Sequence, residues 1–127
     1  MDSLYIVVPA YNESDNIEQF VNDWYPVVEA HSGDGKSRLV IINDGSKDDT
    51  FEKLLSLAET SPSLVPLTKP NGGHGPTLIY GYRYAIEQGA DYIFQTDSDG
   101  QTFASEFDQF WDERMKYDML IGYRNHR

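Results

Sequence analysis

A chain of 127 residues, 39% of them apolar and 13% aromatic, is the size of one domain with a real core. Ten Lys and Arg against 21 Asp and Glu give a formal charge of −11, which speaks against nucleic acid as a partner, because neutralising phosphates takes clustered basic side chains. The absence of cysteine excludes disulfides and thiolate metal sites and suits a cytoplasmic protein, and no segment reaches the ~20 apolar residues that span a bilayer.

The chain enters a strand pattern at once, with neither a basic leader nor a long apolar stretch, so no secretion signal is expected. Leu4 to Val8 is continuously apolar, as a strand buried on both faces of a parallel sheet would be, and Pro9-Ala10-Tyr11-Asn12-Glu13 follows it. Ile17, Phe20, Val21, Trp24 and Val28 recur at helical spacing. Asp15 and Glu18 are placed as a capping pair, and Pro26 is expected to kink or end that helix early. His31 to Ser37 reads as a surface loop. Leu39 to Ile42 is the second strand, closed by Asn43-Asp44-Gly45-Ser46. A second helix starts near Asp49 and presents Phe51, Leu54, Leu55 and Ala58. The third strand, Leu64 to Leu67, leads into Lys69-Pro70-Asn71-Gly72-Gly73-His74-Gly75. A third helix then runs from about Pro76, favoured in a first turn, to Gly89, a favoured stop. Tyr92 to Phe94 is the fourth strand and ends in Asp97-Ser98-Asp99-Gly100-Gln101. Phe103, Phe107, Phe110 and Trp111 form the core stripe of a fourth helix, and Met119 to Ile121 is a fifth strand.

This alternation predicts an α/β fold: a Rossmann-like three-layer sandwich with a mostly parallel sheet and right-handed crossovers, in one domain over residues 1–127. Ligands bind such sheets beyond the carboxyl ends of the strands. All four polar loops fall there and should line one rim.

Asp97 and Asp99, one residue apart at the end of a buried strand, raise each other's cost of ionisation unless a cation sits between them. Oxygen ligands without thiolates select a hard ion, Mg2+ or Mn2+, of the kind that also binds substrate phosphates. The alternative is a solvated acidic turn. Gln101 is either a third oxygen for the metal or a polar surface residue. Asp44 suits the imide N–H of uracil or the N–H groups of guanine, or else bonds its own turn. Tyr11 stacks on a base or packs against its neighbours. Glu13 bonds a ribose or base edge, or favours the start of the first helix. Asn71 to Gly75 precedes a helix N-terminus, a natural place for an anion, where His74 either touches a phosphate or is solvated. Asp48 and Asp49 cap the second helix and carry no chemistry. The loops contain neither a P-loop nor a Gly-x-Gly-x-x-Gly after the first strand, which counts against an ordinary NTPase and a dinucleotide oxidoreductase.

Taken together, Val7-Val8-Pro9-Ala10-Tyr11-Asn12-Glu13, Asn43-Asp44-Gly45-Ser46 with Asp49-Thr50, and Asp97-Ser98-Asp99-Gly100-Gln101 resemble inverting glycosyltransferase family 2 of the GT-A fold. The Asn-Gly-Gly loop and the Asp-Ser-Asp-Gly-Gln form are similar to its polyprenyl- or dolichyl-phosphate sugar transferase branch. The resemblance implies that Pro9, Ala10, Tyr11, Glu13 and Gly73 line a pocket for a UDP- or GDP-linked sugar and that Asp44 reads the base. It also implies that Asp97 and Asp99, with Ser98 between them and Gln101 beyond, hold Mg2+ or Mn2+ on the diphosphate. The metal would then stabilise the departing nucleoside diphosphate as an acceptor hydroxyl, deprotonated by a general base, attacks from the opposite face.

The family's catalytic base lies in an acidic motif well downstream of the metal site. None is therefore assigned within these residues, and the base is expected beyond Arg127. On that expectation the chain is the donor-binding part of an enzyme, incomplete at its C-terminus. The full-length enzyme would face a lipid-linked or polysaccharide acceptor, at the inner side of a membrane if lipid-linked. Three other readings compete. A sugar nucleotidyltransferase would carry a Gly-rich basic signature after the first strand, and a receiver-like signalling module would carry a lone acceptor Asp after the third. A binding module without catalysis is the last alternative.

Overall fold

The computed structural model describes residues 3–31, 35–97, 107, 111, 120 and 121. Its centre is β1 (Leu4–Ala10), flanked by β2 (Arg38–Asp44) and β4 (Tyr92–Gln95); β3 (Leu64–Lys69) and β5 (Leu120–Ile121) lie outside them. The order is β3-β2-β1-β4-β5 and every pairing is parallel. The helices α1 (Ile17–Ala30), α2 (Thr50–Ala58) and α3 (His74–Glu87) supply the crossovers. The α/β sandwich expected from the alternation is therefore present.

Both faces of the sheet are covered, which is why its strands read as continuous apolar runs. Leu4, Ile6, Val8, Leu39 and Ile41 face Ile17, Phe20, Val21 and Trp24 of α1 and Leu54 of α2. The alternate residues Tyr5, Val7, Val40 and Ile42 pack with Ala85 of α3. Gly81 lets α3 come close, because a Cβ there would lie 2.4 Å from Val7 Cγ1 and 2.7 Å from Ile42 Cδ1. The Trp24 ring stacks on Phe94 at 5.7 Å, and Phe107 meets Phe94 edge-on at 4.8 Å, so Phe107 belongs to the core as its stripe predicts. Phe103, Phe110 and the span of the fourth helix lie outside the described residues, as does Met119.

Two local expectations need correction. Pro26 lies inside α1, which continues to Ala30. The bond that proline removes would go to the carbonyl of Asn22; both residues are exposed, so water can serve that carbonyl, and burial of Val28 holds the last turn on the sheet. Asp15 and Glu18 do not cap α1. Its first turn starts instead from the Glu13 carbonyl, which accepts from Asn16 N at 2.9 Å and Ile17 N at 2.8 Å.

The outer strand β3 is half-buried and carries Pro66 at its middle, paired in register with Ile41. Leu39 N donates to Ser63 O, so by alternation Val65 and Leu67 face β2 and Pro66 turns its nitrogen outward. Among the described residues, no helix is long and apolar enough to cross a membrane.

Candidate functional site at the carboxyl ends of the strands

From β1 the chain order moves outward through β2 to β3, then returns to the other side of β1 for β4. That reversal makes the carboxyl ends of β1 and β4 a topological switch point, the usual ligand position in open parallel sheets. Pro9 and Ala10 end β1, and Tyr11, 42% exposed, opens the loop beyond it. Asn12 adopts φ +52°, which a short amide tolerates better than a branched side chain.

The first two rim loops are stitched together. Asn12 N donates to Ser46 Oγ at 2.9 Å, and Lys47 N donates back to Asn12 Oδ1 at 2.8 Å. Glu13 N donates to Thr50 Oγ1 at 2.9 Å, and Lys53 Nζ donates to the Ser14 carbonyl at 2.8 Å. Asp48 accepts from Ser14 N, Thr50 N and the Thr50 hydroxyl, while Asp49 accepts from the Ser14 hydroxyl. Asp49 is the residue before α2 but makes no side-chain cap, a part that Asp48 fills through Thr50 N. Burial pushes the Asp48 carboxyl up, and the bonds from Thr50 and Ser14 outweigh that and hold it below its ordinary value.

Asp44, the last residue of β2 and 5% exposed, reaches the third loop rather than its own turn. Its Oδ1 accepts from Lys69 Nζ at 3.0 Å and Gly72 N at 2.9 Å, and its Oδ2 accepts from Gly73 N at 3.1 Å. Burial raises the cost of its charge, but Gly72, Lys69, the nearby Thr77 hydroxyl and Gly73 together hold the carboxyl below its ordinary value. The Thr77 hydroxyl itself donates to the Gly73 carbonyl at 2.7 Å. Asn71 Nδ2 donates to the Asp44 carbonyl at 2.9 Å, and a Cβ on Gly45 would lie 2.5 Å from Asn71 N. Gly45 at φ +65° and Gly73 at φ +95° supply the backbone turns this closure needs. Gly73 precedes α3, and His74 is its exposed first residue.

On the other side of β1, Asp97 is half-buried two residues past β4. Its Oδ1 accepts from Gln95 Nε2 at 3.3 Å. Thr96 between them is buried, its N donates to the Val7 carbonyl at 3.2 Å, and its hydroxyl has no partner among the described residues. Ser98, Asp99 and Gln101 lie outside the described residues. So does the stretch after Ile121 that runs to Arg127, and the expectation of a general base beyond Arg127 concerns residues outside this sequence altogether. Among the described residues no group of three or more His, Cys, Asp or Glu could hold a metal ion. What is present, the carboxylate oxygens of Asp97, is the donor type that a hard divalent cation takes.

The structure thus places Pro9, Ala10, Tyr11, Glu13, Asp44, Gly73 and Asp97 on one rim. Asp44 ends β2 and Asp97 follows β4, the two strands that flank β1 on either side. Sequence reasoning gave no role to Lys69, Thr77 or Gln95. Lys69 was accessible in principle, since it lies two residues past the apolar run Leu64 to Leu67 as Asp44 does past Leu39 to Ile42, and the two pair at the last rung of β2 and β3. No local pattern pointed to Gln95.

The model of the family described as glycosyl transferase family 2 matches residues 5–117. Among curated relatives, dolichyl-phosphate beta-glucosyltransferase ALG5A of Trichomonas vaginalis is 31% identical over 109 residues, covering 83% of this chain and 33% of its own. The chain spans about a third of the length of such relatives. Among solved structures, TarS residues 1–349 of S. aureus in complex with UDP superposes with TM-score 0.67 at 18% identity, over 89% of this chain and 33% of that one. The mannosyltransferase PcManGT of Pyrobaculum calidifontis, in complex with GDP-Man and Mn2+, gives 0.55 at 23% identity, over 76% and 27%. At those identities the likeness is one of fold.

Proposed function

The chain belongs to glycosyl transferase family 2, and on that premise we propose that it is the donor-binding part of a metal-dependent glycosyltransferase. It takes a nucleoside-diphosphate sugar and passes the sugar to a lipid-linked phosphate. The observation that carries this reading is the reversal of strand order beside β1, with exposed Tyr11 just past β1, Asp44 at the end of β2 and Asp97 just past β4. The UDP and the GDP-Man with Mn2+ held by proteins of like fold support the donor class, and the dolichyl-phosphate specificity in a relative's name supports the acceptor class.

In this reading Tyr11 stacks on the base and Asp44 accepts a base N–H, exchanging it for one of the donors that now hold its carboxylate. Pro9, Ala10 and Glu13 wall the nucleoside, and Gly73 brings backbone N–H close to it. Asp97 and Asp99, with Ser98 and Gln101 from the same Asp-Ser-Asp-Gly-Gln segment, would hold Mg2+ or Mn2+. That cation would offset the charge gathering on the diphosphate leaving group. The residues at the rim bind and orient the donor, so that the acceptor approaches the anomeric carbon from the side opposite the diphosphate.

Titration of UDP-glucose, UDP-GlcNAc and GDP-mannose with and without Mn2+, on the wild type and on Asp99→Ala, tests the proposal. Metal-dependent binding of one donor, lost on substitution, is expected. Equal binding with and without Mn2+, or binding indifferent to Asp99→Ala, would overturn it.

A further inference from the structure

We infer that Gln95 is a positioning residue that sets the carboxylate of Asp97 for the divalent cation, an assignment that rests on the donor-binding reading above. Gln95 is the last residue of β4, 6% exposed, and lies in register between Val7 of β1 and Ile121 of β5. A central strand of this sheet is otherwise filled with apolar side chains, and a buried amide there is costly unless it is hydrogen-bonded.

Its Nε2 lies 3.3 Å from Asp97 Oδ1. Chemistry fixes the sense of that bond: an ionised carboxylate only accepts, so the amide must present its nitrogen. The backbone beneath is anchored as well, through Thr96 N to the Val7 carbonyl at 3.2 Å. Asp97 is thus held at one carboxylate oxygen, and the residue before it at its main chain, by groups belonging to the sheet. A loop carboxylate would otherwise be ordered at the moment of binding; here part of that ordering is built into β4. Partners that orient metal ligands in this way are worth about 10–100-fold in metal affinity.

The test is a Mn2+ titration followed by the electron paramagnetic resonance of the free ion, in saturating UDP or GDP, on the wild type, Gln95→Met, Gln95→Asn and Asp97→Asn. Metal-free affinity for UMP or GMP and the melting temperature are read alongside. Methionine keeps the volume without a donor, and asparagine keeps the amide on an arm too short to reach. Both are expected to weaken Mn2+ binding about tenfold, with metal-free mononucleotide affinity and melting within twofold and a few degrees of the wild type. Mn2+ affinity within twofold of wild type in Gln95→Met would overturn the inference. So would a parallel loss of Mn2+ binding, metal-free binding and melting temperature, which marks a purely structural amide. If the wild type binds no Mn2+ with either nucleotide, the donor-binding reading itself fails and takes this one with it.

Discussion

The ammonium of Lys69 and the carboxylate of Asp44 meet at 3.0 Å on the last rung between β2 and β3, with side chains only 13% and 7% exposed. A pair so sheltered does more than a surface ion pair, because removing one partner leaves the other charged and poorly solvated. Lys69→Met is expected to cost about 2 kcal/mol of stability, read from urea unfolding. A neutral donor of about the same reach as methionine, as in Lys69→Gln, should recover part of it.

Acid should loosen this rim first. The Asp44 carboxyl is held below its ordinary value in the folded chain, chiefly against its burial by Gly72, Lys69, Thr77 and Gly73. Asp48 is lowered by Thr50 and Ser14, and Asp91 by Ser3. A carboxyl lowered by folding stabilises the native state fully above its unfolded value, about 4, and that contribution fades as the pH falls through the folded value. Unfolding free energy is therefore expected to be flat from neutrality to about pH 5 and to fall below about pH 4. Asp44→Asn should flatten that acid limb; a limb of unchanged slope would remove Asp44 from its origin.

The contact between α3 and the sheet leaves no room for a side chain at Gly81, where a Cβ would meet Val7 Cγ1 and Ile42 Cδ1. Gly81→Ala is expected to destabilise by about 1–3 kcal/mol through overpacking. Gly75, in the first turn of the same helix, has nothing within 4 Å of a Cβ. Gly75→Ala should be neutral or stabilise by about 0.5 kcal/mol. Parallel thermal melts of the two variants separate helix propensity from packing.

Tyr11 offers the most direct probe of the nucleotide, because its exposed ring contributes little to the core. Tyr11→Ala should weaken UDP or GDP binding by about 1–3 kcal/mol if the ring stacks on the base, with no change in the melting temperature. Tyr11→Phe should keep most of the affinity. Calorimetric titration measures both.

The strands and helices were legible because their two periodicities are carried by side chains buried on two faces, such as Leu4, Ile6 and Val8 against Tyr5 and Val7. Pro26 misled because local propensity reports the cost of a lost bond and not the burial of Val28 that outweighs it. At the rim, Asp44 could be singled out as a strand-end carboxylate, but the identity of its partners could not. Gly72 and Gly73 lie 28 and 29 residues away, and their closure depends on how the loop after β3 folds back. Gln95 stayed hidden for a related reason: an amide at the end of an apolar strand looks like its boundary until its neighbour two residues on is seen within hydrogen-bond distance.

Pro66 has a consequence beyond its own strand. A sheet whose outermost strand offers an unbroken row of donors invites a second molecule to add to it. Here the outward-facing position at the middle of β3 has no N–H to give. A strand arriving from another copy would find a gap where it most needs a bond, which guards the native chain against edge-on aggregation while leaving the ladder to β2 intact.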